Sequence, residues 1–152
     1  MKKREVIVVG GGLAGLSAAM RLAENGCLVK IISVTQVKRS HSVCAQGGIN
    51  AAVHLKGEDD SPLIHAYDTI KGGDFLGNQP PIVEMCLTGP AIIQMMDRFG
   101  CTFNRTPEGN IDFRRFGGTL YNRTAFCGAS TGQQLLYALD EQVRRFEVKG
   151  LI

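Results

Sequence analysis

Apolar and polar positions fall into blocks whose spacing changes along the chain. Glu5–Val9 (EVIVV) is a short β-branched apolar run and reads as a buried parallel strand. From Leu13 to Asn25 the apolar residues recur at helical spacing, with Leu16, Ala19, Met20 and Ala23 on one side, and Gly26 is a natural helix stop. Leu28–Ile32 is a second apolar strand. This opening predicts a strand–helix–strand unit with the two strands parallel.

The next stretch, Val37 to Lys56, is polar and glycine-rich, too long for a simple turn, and is expected to be irregular and functional. Ser61-Pro62 has the form of an N-cap followed by a first helical residue, which predicts a helix over Leu63–Lys71 ending at Gly72-Gly73. Pro81–Leu87 and Pro90–Phe99 read as two helices broken at Gly89-Pro90, with Gly100 closing the second. Thr102–Asn104 and Asn110–Arg114 flank the turn-like Thr106-Pro107-Glu108-Gly109 and predict two short strands. Ser130-x-x-Gln133 is a capping-box pattern ahead of a helix whose Leu135, Leu136, Leu139, Val143 and Phe146 share a face. A new apolar run begins at Leu151-Ile152.

Composition adds limits. The 152 residues are enough for one modest domain, and 44% hydrophobic with 20% charged residues is ordinary globular content. Nineteen glycines without a collagen period suit tight turns and close backbone approach. A formal charge of +3, with no basic stripe interleaved with aromatics, gives no reason to expect a nucleic-acid partner. Lys2-Lys3-Arg4, Arg114-Arg115 and Arg144-Arg145 are expected as solvated ends and faces. Five widely spaced cysteines without a C-x-x-C argue for reduced thiols in a cytosolic setting and against a zinc site. The basic start followed by an apolar run has the outline of a signal peptide, but Glu5 and the patterned glycines argue against one. No stretch reaches the ~18 apolar residues that a membrane span needs.

The chemistry enters at Gly10-Gly11-Gly12-Leu13-Ala14-Gly15, a G-x-G-x-x-G between strand and helix. Gly10 permits the tight turn, Gly12 lets a pyrophosphate approach the backbone, and Gly15 lets helix and strand pack closely. The helix N-terminus offers N–H groups and partial positive charge to phosphates. A nicotinamide site would place Asp or Glu at the end of the second strand; here Ser33 stands there, which counts against NAD and leaves FAD open.

Val37-Lys38-Arg39-Ser40-His41-Ser42-Val43-Cys44-Ala45-Gln46-Gly47-Gly48-Ile49-Asn50 is the most informative stretch. It resembles the flavoprotein subunit of the succinate dehydrogenase and fumarate reductase family. In that family the R-S-H-[ST]-x-x-A-Q-G-G pattern carries the histidine bonded to the 8α carbon of FAD, and the resemblance implies that role for His41. It also implies that Arg39, Ser40 and Ser42 lie near the flavin or its phosphates, and that Gln46, Gly47 and Gly48 run along the isoalloxazine edge. His54 and His65 match no such motif and are expected to be ordinary loop and helix residues.

The resemblance continues through Gly72–Leu76, Phe103–Gly109, Asp112–Thr119, Arg123-Thr124 and Thr131–Leu136, so it covers nearly the whole chain. It implies an α/β fold with a parallel Rossmann-type core, the N-terminal part of an FAD-binding domain. Phe116 and Gly117 become candidates for the side that meets a dicarboxylate, with plain core packing of Phe116 as the alternative. The family's catalytic arginine, substrate histidines and capping domain would lie beyond residue 152, so no catalytic residue is assigned here. The implied activity is succinate oxidation, or the reverse with fumarate. The implied partners are an iron–sulfur subunit and a cytochrome b anchor, with a peripheral location on the cytoplasmic side of the inner membrane. Two rivals stand beside this reading: an L-aspartate oxidase-like flavoenzyme, against which His41 argues, and a truncated nucleotide-binding fragment without catalysis.

Overall fold

A computed structural model describes residues 4–53 and 57–152. Met1-Lys2-Lys3 of the basic start, and His54 with Lys56 of the glycine-rich stretch, lie outside the described residues. In chain order the elements are β1 (Glu5–Val9), α1 (Leu13–Glu24), β2 (Leu28–Ile32), β3 (Ile49–Asn50), α2 (Pro62–Gly72), α3 (Gln79–Arg98), β4 (Phe113–Arg114), β5 (Thr124–Ala125) and α4 (Thr131–Val148). The chain divides into two compact units. One is Met1–Ala45 with Phe99–Cys101 and Gly132–Ile152; the other is Gln46–Arg98 with Thr102–Thr131.

The first unit is the βαβ opening. β1 and β2 pair in parallel from Glu5 opposite Leu28 to Val9 opposite Ile32. The Leu151 carbonyl accepts the Val29 N–H at 2.8 Å, so the last residues run beside β2. Ala19 and Ala23 of α1 and Val29 of β2 are buried together, with Val8, Ile31, Phe146 and Ile152 packed around them. The two alanines allow helix and sheet to approach closely. Leu16 is fully buried, a setting in which truncation to alanine costs ~2–5 kcal/mol. Gly26, at φ +78°, follows the helix end and donates to the Ala23 carbonyl.

The second unit joins a three-stranded sheet, in the order β3-β5-β4, to a helix pair. Ile49 and Phe113 both oppose Ala125 in antiparallel register. Ser61 caps α2 as its pattern predicts, accepting the Ile64 N–H at 3.2 Å with Pro62 at the first helical position. The expected break at Gly89-Pro90 does not occur: α3 is one helix with Pro90 inside it. Cys86 ahead of the proline and Ile93 and Met96 after it are all buried, so the helix is packed on both sides of Pro90. The Thr88 hydroxyl donates to the Glu84 and Met85 carbonyls just ahead of the proline. Gly89 faces Ala51, whose Cβ would sit 3.3 Å from a side chain there; this glycine serves close approach rather than helix termination.

Three other expectations need correction. The Val37–Lys56 stretch is not simply irregular: Val37–Arg39 and His41–Cys44 form 3-10 turns, and β3 follows. Thr102–Asn104 is not a strand. Its hairpin with Ile111 survives as a single bridge from Arg105, while Phe113-Arg114 takes β5 as partner. The Ser130–Gln133 capping box does not form. Ser130 Oγ donates to the Cys127 carbonyl, Gln133 Nε2 donates to Tyr137 Oη, and Thr131 Oγ1 accepts the Cys127 N–H. Among the described residues no helix is long and apolar enough to cross a membrane.

Candidate cofactor site

The first unit carries Gly10–Gly15, Ser33 and the Arg39–Ser42 residues. Gly10 stands at φ +113°, a region that L side chains rarely adopt, and its N–H donates to the Ile32 carbonyl at 2.8 Å. This turns the chain from β1 into α1. A Cβ on Gly15 would lie 1.9 Å from the Gly10 carbonyl oxygen, so helix and loop meet backbone to backbone. Gly12 is the N-cap of α1 and supplies no side-chain cap, which leaves helix N–H groups to other partners. Leu13 and Ala14 follow as the first helical residues.

One of those partners comes from the histidine segment. Ser42 Oγ accepts the Leu13 N–H at 3.3 Å, and a Cβ on Gly12 would come within 3.0 Å of the same oxygen. The His41–Cys44 turn therefore sits directly on the glycine loop. His41 and Arg39 are exposed, and His41 has no side-chain partner among the described residues. Ser40 is 8% exposed, and its Oγ is buried without a hydrogen-bond partner. Ser33 is exposed at the end of β2 and lines a cavity of about 500 Å³ with Thr35, Gln36, Asp140 and Arg144. Glycine loop, α1 N-terminus, orphaned Ser40 hydroxyl and neutral Ser33 are of a chemistry that fits the diphosphate and ribose of a dinucleotide.

The second unit carries Gln46, Gly47, Gly48, Phe116 and Gly117. The Phe116 ring lies against Gly47, where a Cβ would sit 2.4 Å from its nearest ring carbon. Arg114 donates to the Gly47 carbonyl at 2.8 Å, and its guanidinium lies 5.1 Å from the Phe116 ring centroid and 4.2 Å from that of Phe126. Phe116 is 50% exposed and so is not a core residue. Gly48, Phe116 and Gly117 line one cavity of about 480 Å³, which His65 and Asn50 also reach.

Sequence reasoning gave no functional weight to two residues of this unit. His65, read as an ordinary helix residue, is 5% exposed and its Nδ1 has no partner. Burial pushes its pKa below the ordinary value, and the nearby Arg123 charge adds to that. Arg123 is fully buried, bonded twice to Asp60 (3.0 and 2.7 Å) and ion-paired with Asp68 at 2.9 Å. Its carbonyl accepts the Ala51 N–H, and the adjacent Thr124 Oγ1 donates to Asn50 Oδ1 at 2.5 Å. The ion cluster thus fixes β5, and β5 fixes the backbone that follows Gly48.

A parallel βαβ opening whose glycine loop caps the first helix defines a dinucleotide-binding domain of the flavoprotein type. Residues 5–151 match the family model described as FAD binding domain, and the chain belongs to this family. It is 65% identical over 152 residues to the succinate dehydrogenase flavoprotein subunit of Bacillus subtilis (strain 168), covering 100% of this chain and 26% of that protein. It is 36% identical over 143 residues to the fumarate reductase flavoprotein subunit of Mycobacterium tuberculosis (strain CDC 1551 / Oshkosh), covering 93% and 24%. Among solved structures, the Mycobacterium smegmatis Sdh1 complex in the apo form superposes with a TM-score of 0.90 at 30% identity, covering 98% of this chain and 25% of that one. A quinol-fumarate reductase with menaquinol molecules gives 0.83 at 32% identity, covering 96% and 26%. The chain therefore spans about a quarter of the length of these relatives.

Proposed function

We propose that this chain is the N-terminal part of a succinate dehydrogenase or fumarate reductase flavoprotein subunit and holds FAD covalently through His41. The observation that carries the reading is the seating of the His41–Cys44 turn on the glycine loop through Ser42 and Leu13. Gly10–Gly15 and Ser40 hold the diphosphate, Ser33 meets the ribose, and Arg39 adds positive charge beside them. Gln46, Gly47 and Gly48 lie along the flavin edge, and Phe116 and Gly117 face the dicarboxylate. When bound, FAD supplies a two-electron acceptor for hydride from a dicarboxylate carbon. Electrons pass on to an iron–sulfur subunit, in a complex held at the membrane by a cytochrome b anchor.

For the covalent link, an imidazole nitrogen of His41 would bond to the flavin 8-methyl carbon. The imidazole N–H and one methyl C–H would be lost, with the two protons and two electrons going to an oxidant such as dioxygen. An exposed, unpartnered imidazole is free to take that role. The test is denaturing electrophoresis of the intact protein. A fluorescent flavin band is expected in the wild type and absent in His41→Ser; a band that survives the substitution overturns the assignment.

A further inference from the structure

We infer that Gly132 is a positioning residue for His41: its missing side chain is what allows the His41–Cys44 turn to seat at the start of α4. The inference rests on the reading of His41 as the flavin attachment point. A Cβ on Gly132 would lie 2.2 Å from the Ser42 carbonyl oxygen, 2.8 Å from Ala45 Cβ and 2.9 Å from the Ala45 carbonyl oxygen. Two of these three atoms are backbone, so no flexible side chain can swing away. The Gly132 N–H also donates to the Ala45 carbonyl at 2.7 Å, closing the contact from the other direction.

Local preference would not choose glycine here. Gly132 is helical and buried, and glycine inside a helix costs up to ~1 kcal/mol relative to alanine. What requires it is the approach of the turn. α4 holds this loop at a second point as well, through Lys38, whose ammonium lies 5.0 Å from the Tyr137 ring centroid. The turn is also tied to α1 through Ser42 Oγ. His41 therefore projects from a turn gripped by two helices. A side chain at position 132 must displace Ser42, the next residue along, and a displacement of about 1 Å at a reacting centre costs on the order of a hundredfold in rate.

In the bond-forming step the imidazole N–H and one methyl C–H would give way to the N–C bond, with two protons and two electrons passing to dioxygen. Gly132→Ala in the intact protein, compared with wild type and His41→Ser, tests the role. The expected result is a covalent flavin band reduced about tenfold or more. Non-covalent flavin, released by acid precipitation, and the far-ultraviolet dichroism should both be retained. The double variant Gly132→Ala/Ala45→Gly, which removes one of the three contacts, should recover part of the band. An undiminished covalent band in Gly132→Ala overturns the inference. So does parallel loss of both flavin pools or loss of the fold, either of which makes Gly132 a packing residue only. A band that persists in His41→Ser instead removes the reading on which the inference stands.

Discussion

Ser42 Oγ accepts the N–H of Leu13 at 3.3 Å, across 29 positions of sequence. The bond uses one of the helix N-terminal donors that α1 cannot satisfy internally, and it places the residue after His41 at the mouth of the glycine loop. Glycine loop and histidine turn are thus one assembly in the first unit. Ser42→Ala should leave the fold intact, with a loss of ~0.5–1.5 kcal/mol from one hydrogen bond. The covalent flavin band should fall relative to non-covalent flavin. Urea melts and fluorescence of the denatured band check the two parts, and an unchanged band would show that the tie does not orient His41.

Gly15 gives a sharper expectation. Its Cβ would sit 1.9 Å from the Gly10 carbonyl oxygen, a backbone atom that cannot step aside without moving the loop. Gly15→Ala should cost ~1–3 kcal/mol in a urea melt, as overpacking does, and should lower total flavin content in both covalent and non-covalent pools. Wild-type flavin content together with a shifted melt would separate stability from binding and count against the loop's role.

The βαβ opening was legible because its signals are local: a β-branched run, helical spacing with a glycine stop, and a fingerprint whose glycines each answer a backbone requirement. α2 was legible for the same reason, through Ser61 and Pro62. The single α3 was not, because Pro90 is a strong local breaker and only the burial of Cys86, Ile93 and Met96 overrides it. The capping box failed similarly: Gln133 found Tyr137 instead of the backbone. The His41 segment was singled out by its motif. Gly132 and Arg123 were not, since their roles rest on atoms more than 60 positions away, Ser42 for one and Asp60 for the other. No spacing rule reports such a pairing.

Arg123 sets the next prediction. Its guanidinium is fully buried against Asp60, itself 5% exposed. Removing one member of a buried pair leaves the other charge uncompensated, at ~3–5 kcal/mol. Arg123→Met should therefore shift the urea midpoint strongly, whereas Arg123→Met with Asp60→Leu should recover much of the loss, because no orphaned carboxylate remains at that position. Equal destabilisation of the two variants would mean that the cluster acts through shape alone.

His65 gives the pH dependence. Burial first, and the Arg123 charge second, lower its pKa from the ordinary 6.5. Below 6.5 the unfolded chain takes up a proton that the folded chain resists, so the unfolded state binds more protons and stability rises with pH across that window. The contribution is complete above 6.5 and is lost progressively as the pH falls through the folded-state value. Urea melts of the wild type between pH 7.5 and pH 5, on the order of half-unit steps around the reference histidine value, should show falling stability. In His65→Gln this part of the slope should vanish, while the carboxylate-driven loss at lower pH remains. Identical slopes for the two proteins would show that His65 is not held neutral in the fold.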